Sequence, residues 1–173
     1  MSQNDRIARL AQQIGSLAKK DEHLLLKEAE IANLRRNGAC ELHAICADFV
    51  ASVNSHLSPA VLDLAPPAYT PEMFRESGVN LIQINAQGRI IQIAFETPRE
   101  MLSTEKFRTP YILEGEIRTY NQEMLERVQI HNQGLFFCIE ENRHVWRYFE
   151  WRHGSTGVLN RELLVTLLER LVR

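Results

Sequence analysis

The first third of the chain carries apolar residues that recur at steps of three, four and seven. These residues are Ile7, Leu10, Ile14, Leu17, Leu24, Ile31 and Leu34. The heptad continues through two charged positions, Asp21 and Glu28. This spacing places one apolar stripe along a helix, and an a/d seam of this kind is typical of helices that pack on other helices. The pattern predicts an N-terminal helical arm over residues 1–57.

A second apolar set follows within the arm, at Leu42, Ile45, Phe49 and Val53. Asn37-Gly38 lies between the two sets and can end a helix, with the glycine in the left-handed conformation. Alternatively, both sets belong to one helix that contains a four-residue stutter. We favour a break or hinge near Asn37-Gly38.

The length of the arm indicates whether the arm can pack entirely on its own chain. As one helix, residues 3–35 would extend about 50 Å, and the rest of a chain of 173 residues can hardly cover that length. The stripe either packs on the chain's own body or forms a coiled coil with a partner. We expect a homo-oligomer or a protein partner bound through the arm. The expected contact residues in the arm are Leu10, Ile14, Leu17 and Leu24.

Composition changes after the arm. All six prolines lie between Pro59 and Pro110, and Phe49 is the one aromatic residue before Tyr69. Residues 58–78 therefore resemble a linker, with a proline at the first position of a short helix over 71–76. The richness of residues 79–173 in Ile, Phe, Tyr and Trp favours pleated, half-buried surfaces.

Alternating apolar residues and turn signals predict an α+β body over residues 79–173. A hairpin turns at Ala86-Gln87-Gly88 through a three-residue loop with a bulge. Asn160 is the predicted N-cap of a final helix that carries a wide leucine stripe. We expect an antiparallel sheet of about five strands, covered on one face by helices that include the C-terminal helix. The predicted strands are 79–85, 89–96, 110–120, 134–140 and 144–151, and the predicted helices are 122–128 and 160–172.

This element order, helix, three strands, helix, two strands, helix, resembles that of the small dimeric secretion chaperones of bacterial type III systems. The resemblance lies in topology alone, and the long arm departs from it. It implies a dimer with a chaperone-like role, while a specific function must be argued from a site.

Charge and composition narrow the classes of partner. The chain has 20 Lys plus Arg against 22 Asp plus Glu, a formal net charge of −2. This balance gives no electrostatic reason for nucleic acid or an anionic membrane as the main partner. Three cysteines, an odd number, disfavour a secreted disulfide framework. Without a signal-peptide core or an 18-residue apolar run, we expect a cytoplasmic protein.

Cys40, His43 and Cys46 have a spacing that resembles a metal site. On a helix, however, Cys40 and Cys46 lie about 240° apart, and a tetrahedral zinc site needs a fourth ligand. We therefore predict no metal site and no cofactor.

Histidines that flank the last strands are the best candidates for acid–base chemistry. Gathered at one end of the sheet, they could pair with a nearby carboxylate. The histidines are His131, His144 and His153, and the carboxylates are Glu140, Glu141 and Glu150. Cys138, by contrast, lies in an apolar strand, where burial raises a thiol's pKa and makes it unreactive.

Residues 143–153 interleave basic and aromatic side chains. Alternation directs Val145, Phe149 and Trp151 to one face and His144, Trp146 and Tyr148 to the other. We predict that Trp146 and Tyr148 lie on an exposed face that binds a protein, and that Trp151 belongs to the core. The alternative is a nucleic-acid or small-ligand surface. Its residues would be Arg143, His144, Arg147 and Arg152.

Together these patterns predict a non-enzymatic interaction or assembly protein, chaperone-like or a subunit of a larger complex. A small-ligand or nucleic-acid sensor is the first alternative, and an enzyme that uses the sheet-end histidines is the second. A flat, exposed apolar face would favour the interaction protein. A deep polar pocket containing two of the histidines would favour the enzyme.

Overall fold

The computed structural model describes residues 3–99, 107, 109–140 and 143–173, with no side chain described at residues 23–25. Its architecture is α+β, as predicted, with a long N-terminal helix, an antiparallel sheet and a C-terminal helix. The helices are α1 (Gln3–Asn54), α2 (Gln122–Glu126) and α3 (Arg161–Val172), and a 3-10 turn spans Pro71–Met73. The strands are β1 (Leu62–Ala65), β2 (Asn80–Ala86), β3 (Arg89–Glu96), β4 (Tyr111–Tyr120), β5 (His131–Glu140), β6 (Arg143–Glu150) and β7 (Ser155–Val158).

Residue contacts divide the chain into two units, one that ends at Leu34 and one that runs from Arg35 to Arg173. The first unit is the N-terminal part of α1, and the second contains the remainder of α1 and the sheet. Among the described residues, no helix has an apolar stretch long enough to cross a membrane.

Helix α1 continues through Asn37 and Gly38, so the break favoured at this point is absent. Packing explains why a glycine is present. A Cβ atom at Gly38 would lie 2.4 Å from Cε1 of Phe137. The Gly38 carbonyl also accepts a hydrogen bond of 2.7 Å from Nε1 of Trp146. Gly38 therefore lets the helix backbone approach aromatic residues of the sheet closely, and it does not end the helix.

The second half of α1 is anchored along one buried stripe and at its C-terminal end. The stripe consists of Ala39, Leu42, His43, Cys46, Phe49 and Val50. Nε2 of His43 lies 2.7 Å from the Pro66 carbonyl, within hydrogen-bonding distance. At the helix end, Oδ1 of Asn54 accepts hydrogen bonds from the backbone of Val61 and Leu62. These bonds fix the start of β1 against the end of the helix.

The sheet has seven strands rather than about five, paired antiparallel in chain order. The two additional strands are short and lie at the edges. β1 falls in the predicted linker and pairs with the end of β2. β7 falls in a Gly-Ser-Thr-Gly segment and pairs with β6.

The β2–β3 hairpin turns in two residues rather than three, because Ala86 pairs directly with Arg89. Gln87 and Gly88 have φ values of 52° and 87°. Two successive positive φ angles are the signature of a type I′ turn, whose twist matches that of the strands. The Gly88 N–H donates to Oδ1 of Asn85, which stabilises the turn.

One face of the sheet carries the larger core. The rows of paired residues that lie on this face include Ile82, Ile93 and Ile117. Further buried residues on this face are Ile84, Ile91, Phe95, Leu113, Leu135, Phe137 and Trp146. Helix α3 contacts β3 and β4, and its buried leucines are Leu163, Leu164, Leu167 and Leu171. Asn160 caps α3 as predicted, since its Oδ1 accepts from the Leu163 N–H.

The opposite face carries a smaller aromatic cluster around Phe107. Its buried members are Phe107, Tyr111, Phe136, Cys138 and Phe149, with Val145 packed against them. Phe107 stacks on Phe136 with ring centroids 4.1 Å apart. The sheet is therefore buried on both faces where β4, β5 and β6 run side by side.

Candidate functional site

The two tryptophans have the opposite exposure from the one predicted. Trp146 is 1% exposed, whereas Trp151 is 42% exposed. The alternation of side chains along β6 correctly predicted that Phe149 and Trp146 lie on opposite faces of the sheet. The exposure assigned to each face was wrong, because the face that contains Trp146 packs against α1 through the bond to Gly38. Trp151 follows the end of β6 and has edge-on ring contacts with Phe136 and Phe149.

The basic residues of the β6 region do not form one surface. Arg143 is exposed at the start of β6, and the Arg147 side chain is paired with Glu140. Arg152 lies beyond the opposite end of the strand. The His144 ring, on the other face, tilts against Phe137 with centroids 5.9 Å apart. The proposed nucleic-acid set is therefore dispersed over both faces and both ends of β6.

In the first unit, the predicted seam residues remain exposed. The exposed fractions are 57% for Ile7, 55% for Leu10, 57% for Ile14 and 58% for Leu17. The side chain of Leu24 lies outside the described residues. The described arm thus presents a row of apolar side chains to solvent.

A polar cavity of about 520 Å³ lies within the second unit, bounded by β5, β6, β7 and α3. It contains two of the three histidines singled out in the sequence, His131 and His153, together with Glu150. Tyr148, predicted on a partner-binding face, also lies in its wall. The other lining residues are Gln133, Arg152, Ser155, Val158, Asn160, Glu162, Leu163, Thr166 and Arg170.

Glu150 is the centre of the polar contacts in this cavity. Nε2 of Gln133 donates to Oε2 of Glu150 at 3.2 Å. Nε2 of His131 lies 3.4 Å from the same oxygen. That approach is not a hydrogen bond, and among the described residues neither His131 Nε2 nor Gln133 Oε1 has a hydrogen-bond partner, although both atoms are buried. Buried polar atoms without partners are uncommon in folded proteins and call for an explanation.

The electrostatics of the cavity keep His131 neutral. Burial lowers the pKa of His131, and this effect outweighs the opposing influence of Glu150. The guanidinium groups of Arg170 and Arg152 lower that pKa further. At neutral pH the imidazole therefore has one donor and one acceptor nitrogen.

The remaining acid–base candidates lie elsewhere. His144 contacts Phe137 and is not among the residues of the cavity. Glu140 is engaged by Arg147, whose hydrogen bond lowers the pKa of this carboxyl. Glu141 lies outside the described residues. Cys138 belongs to the aromatic cluster, where burial raises the pKa of its thiol to about 12, as its apolar surroundings predict.

A second concavity, of about 370 Å³, lies beside Trp151. Its apolar lining includes Val79, Ala94 and Phe136, and its acidic lining consists of Glu96, Glu114 and Glu116. Glu116 is paired with Arg118 and accepts a hydrogen bond from Asn132. Trp151 and these carboxylates therefore line the same groove.

Comparison of the chain with family models, with curated proteins and with solved structures gives no match. The residues of the two units are therefore the basis for a functional assignment.

Sequence reasoning did not identify Gln133 and Arg170 as cavity residues. A signal for Gln133 was present, because it lies two positions after His131 on β5 and so shares its face. Arg170 is near the end of α3 and shares no local pattern with β5. Only the tertiary fold brings the two elements together.

Proposed function

We propose that the chain is a non-enzymatic assembly protein in which the arms of two copies form a coiled coil. The observation that carries this proposal is the exposed seam. Ile7, Leu10, Ile14 and Leu17 occupy successive a and d positions, and each is more than half exposed. Burying them in a second copy removes apolar surface from water, which stabilises association.

The polar cavity that contains His131 and His153 is the feature expected of the enzyme alternative, which we place second because His131 does not hydrogen-bond to Glu150.

The residue types in the seam specify the kind of coiled coil. In the first two heptads the a positions hold Ile7 and Ile14, and the d positions hold Leu10 and Leu17, whereas the next two a positions hold Asp21 and Glu28. In parallel coiled coils, β-branched residues at a with leucine at d favour two strands. A second copy of the chain is therefore the occupant that matches the seam. An isolated helix derives little stability from propensity alone, so pairing also stabilises the arm itself.

In the dimer, the α+β body of each copy then binds a further protein. The dimer would act in a chaperone-like role or as a subunit of a larger complex. In this proposal the helices cover one face of the sheet, and the groove beside Trp151 is the partner-facing part of the other. Its carboxylates, Glu96 and Glu114, favour a basic segment of the partner. A cytoplasmic location suits the three free cysteines, Cys40, Cys46 and Cys138.

The assembly proposal is tested by placing a charge in the seam. We expect wild-type protein to sediment as a dimer at tens of micromolar and the Ile14→Glu variant to sediment as a monomer. The reason is that two glutamates would be buried opposite each other at an a position. Analytical ultracentrifugation over a range of concentrations measures the outcome.

The Gln12→Glu variant is the matched control, because position 12 lies two residues away on the outer face of the heptad. It introduces the same charge and should leave the dimer intact. A monomeric wild-type chain, or equal dissociation of both variants, would contradict the proposal. A trimer or tetramer would contradict the two-stranded assignment.

A further inference from the structure

The polar cavity between β5, β6, β7 and α3 has the features of a built binding site. Gln133 is 4% exposed, so its side chain is almost completely buried. Its Oε1 atom nevertheless lacks a hydrogen-bond donor among the described residues, and Nε2 of His131 lacks a hydrogen-bond partner there. Leaving a buried polar atom unpaired destabilises the folded state. Both residues line the cavity, and a molecule bound there can pair with their polar atoms.

The cavity also contains unused positive charge. Arg152 and Arg170 both line it, and neither side chain has an ion-pair partner in the part of the chain that is described. Both lie close enough to His131 to affect its protonation. Guanidinium groups are well suited to carboxylate and phosphate, which they bind through two parallel hydrogen bonds. This side of the cavity therefore matches an oxyanion.

The acceptor side of the cavity matches a different chemical group. Oε1 of Gln133 and the carboxylate of Glu150 both accept hydrogen bonds, and Glu150 already receives one from Gln133. A ligand hydroxyl can donate to either acceptor. A fully deprotonated anion has no hydrogen to donate, and Glu150 would repel it.

We propose that this cavity binds a small metabolite that carries both an oxyanion group, carboxylate or phosphate, and a hydroxyl group. Arg152 and Arg170 bind the oxyanion, while Gln133 and Glu150 accept from the hydroxyl. The volume of about 520 Å³ lies within the range of small-molecule sites. All of these residues belong to the second unit, so the inference is independent of association through the arm.

Calorimetric titration of the full chain tests this inference with defined probes. The probes are glycerol 3-phosphate and glycerate, and the comparison compounds are glycerol and inorganic phosphate. We expect at least one probe to bind with Kd below 10 mM, and at least tenfold more tightly than either comparison compound. The preferred probe distinguishes phosphate from carboxylate.

Two arginine variants locate the binding. Arg152→Gln and Arg170→Gln should each lower the affinity for the probe at least tenfold, because each variant loses a charge-assisted hydrogen bond to the oxyanion. Both positions are exposed, so the fold should persist, which circular dichroism checks. Arg75→Gln removes the same charge from an exposed position near the start of β2, away from the cavity, and should leave the affinity unchanged.

An NMR measurement on the wild-type chain tests the inference even if an arginine variant does not fold. In NMR spectra of the wild-type imidazoles, the probe should shift the His131 signals and leave those of the exposed His56 unchanged. The inference is overturned if neither probe binds below 10 mM, or if glycerol or inorganic phosphate binds as tightly. It is also overturned if His131 does not respond to a bound probe.

Discussion

At the scale of single residues, the two tryptophans differ in what they contribute to the fold. Trp146 is almost fully buried, its ring centroid lies 4.9 Å from that of Phe137, and its Nε1 donates a hydrogen bond to the carbonyl of Gly38. Trp151 has ring contacts on one side and solvent on the other. Replacing Trp146 with Ala should therefore lower the free energy of unfolding by about 3–5 kcal/mol. Trp151→Ala should cost less than about 2 kcal/mol. Denaturant unfolding of the two variants measures both values.

Fluorescence gives an independent check on this assignment. A Trp151→Phe chain retains the buried Trp146 and should emit at short wavelength with little quenching by acrylamide. A Trp146→Phe chain retains the exposed Trp151 and should show red-shifted, strongly quenched emission. Equal destabilisation by the two alanine variants, together with identical quenching, would argue against the difference in burial.

The two tryptophans have the opposite burial from the one predicted, which shows how much the alternation of side chains along a strand can predict. A period of two separates Trp146 from Phe149 because side chains on a strand point to opposite faces in turn. It contains no information about which face the helices contact. That choice depends on the fit of Gly38 against Phe137 and Trp146, which are 99 and 108 positions away in sequence. Only the tertiary structure shows such a fit.

At the scale of elements, α1 shows how packing overrides a local signal. Asn37-Gly38 is a common helix end, yet the helix runs on because the glycine lies where a side chain would clash with Phe137. The edge strands were missed for a related reason. β1 and β7 have four residues each, too few to show a period, and their pairing with longer neighbours defines them. The longer strands and α3 were predicted because each carries its own pattern.

Two glycines of α1 provide a matched pair for testing this account. Gly38→Ala should destabilise the body by about 1–3 kcal/mol, because the new methyl group overpacks the Phe137 contact. Gly15 has nothing within 4 Å of an added Cβ. Gly15→Ala should therefore raise the helical signal and stabilise the arm by about 0.5–1 kcal/mol. Circular dichroism during thermal unfolding measures both changes. Stabilisation by Gly38→Ala would contradict the expected clash with Phe137.

At the scale of the whole molecule, the chain consists of two units with different sources of stability. The unit from Arg35 to Arg173 contains the sheet, both cores and the polar cavity. The unit that ends at Leu34 has an exposed seam and, within its described residues, no core of its own. Folding and association should therefore be separable by cutting the helix between them.

A chain that begins at Arg35 should fold alone and remain monomeric. Arg35 must be retained, because its Nε donates to the Ile112 carbonyl at 2.9 Å and its Nη1 pairs with Glu76 at 2.6 Å. We expect the truncated chain to keep the unfolding midpoint of the monomeric Ile14→Glu variant, the blue-shifted emission of Trp146 and the metabolite affinity of the full chain. Sedimentation, thermal unfolding and calorimetry measure these properties. If the truncated chain is unfolded, the arm contributes to the core. If the truncated chain is a dimer, the body and not the seam is the site of association.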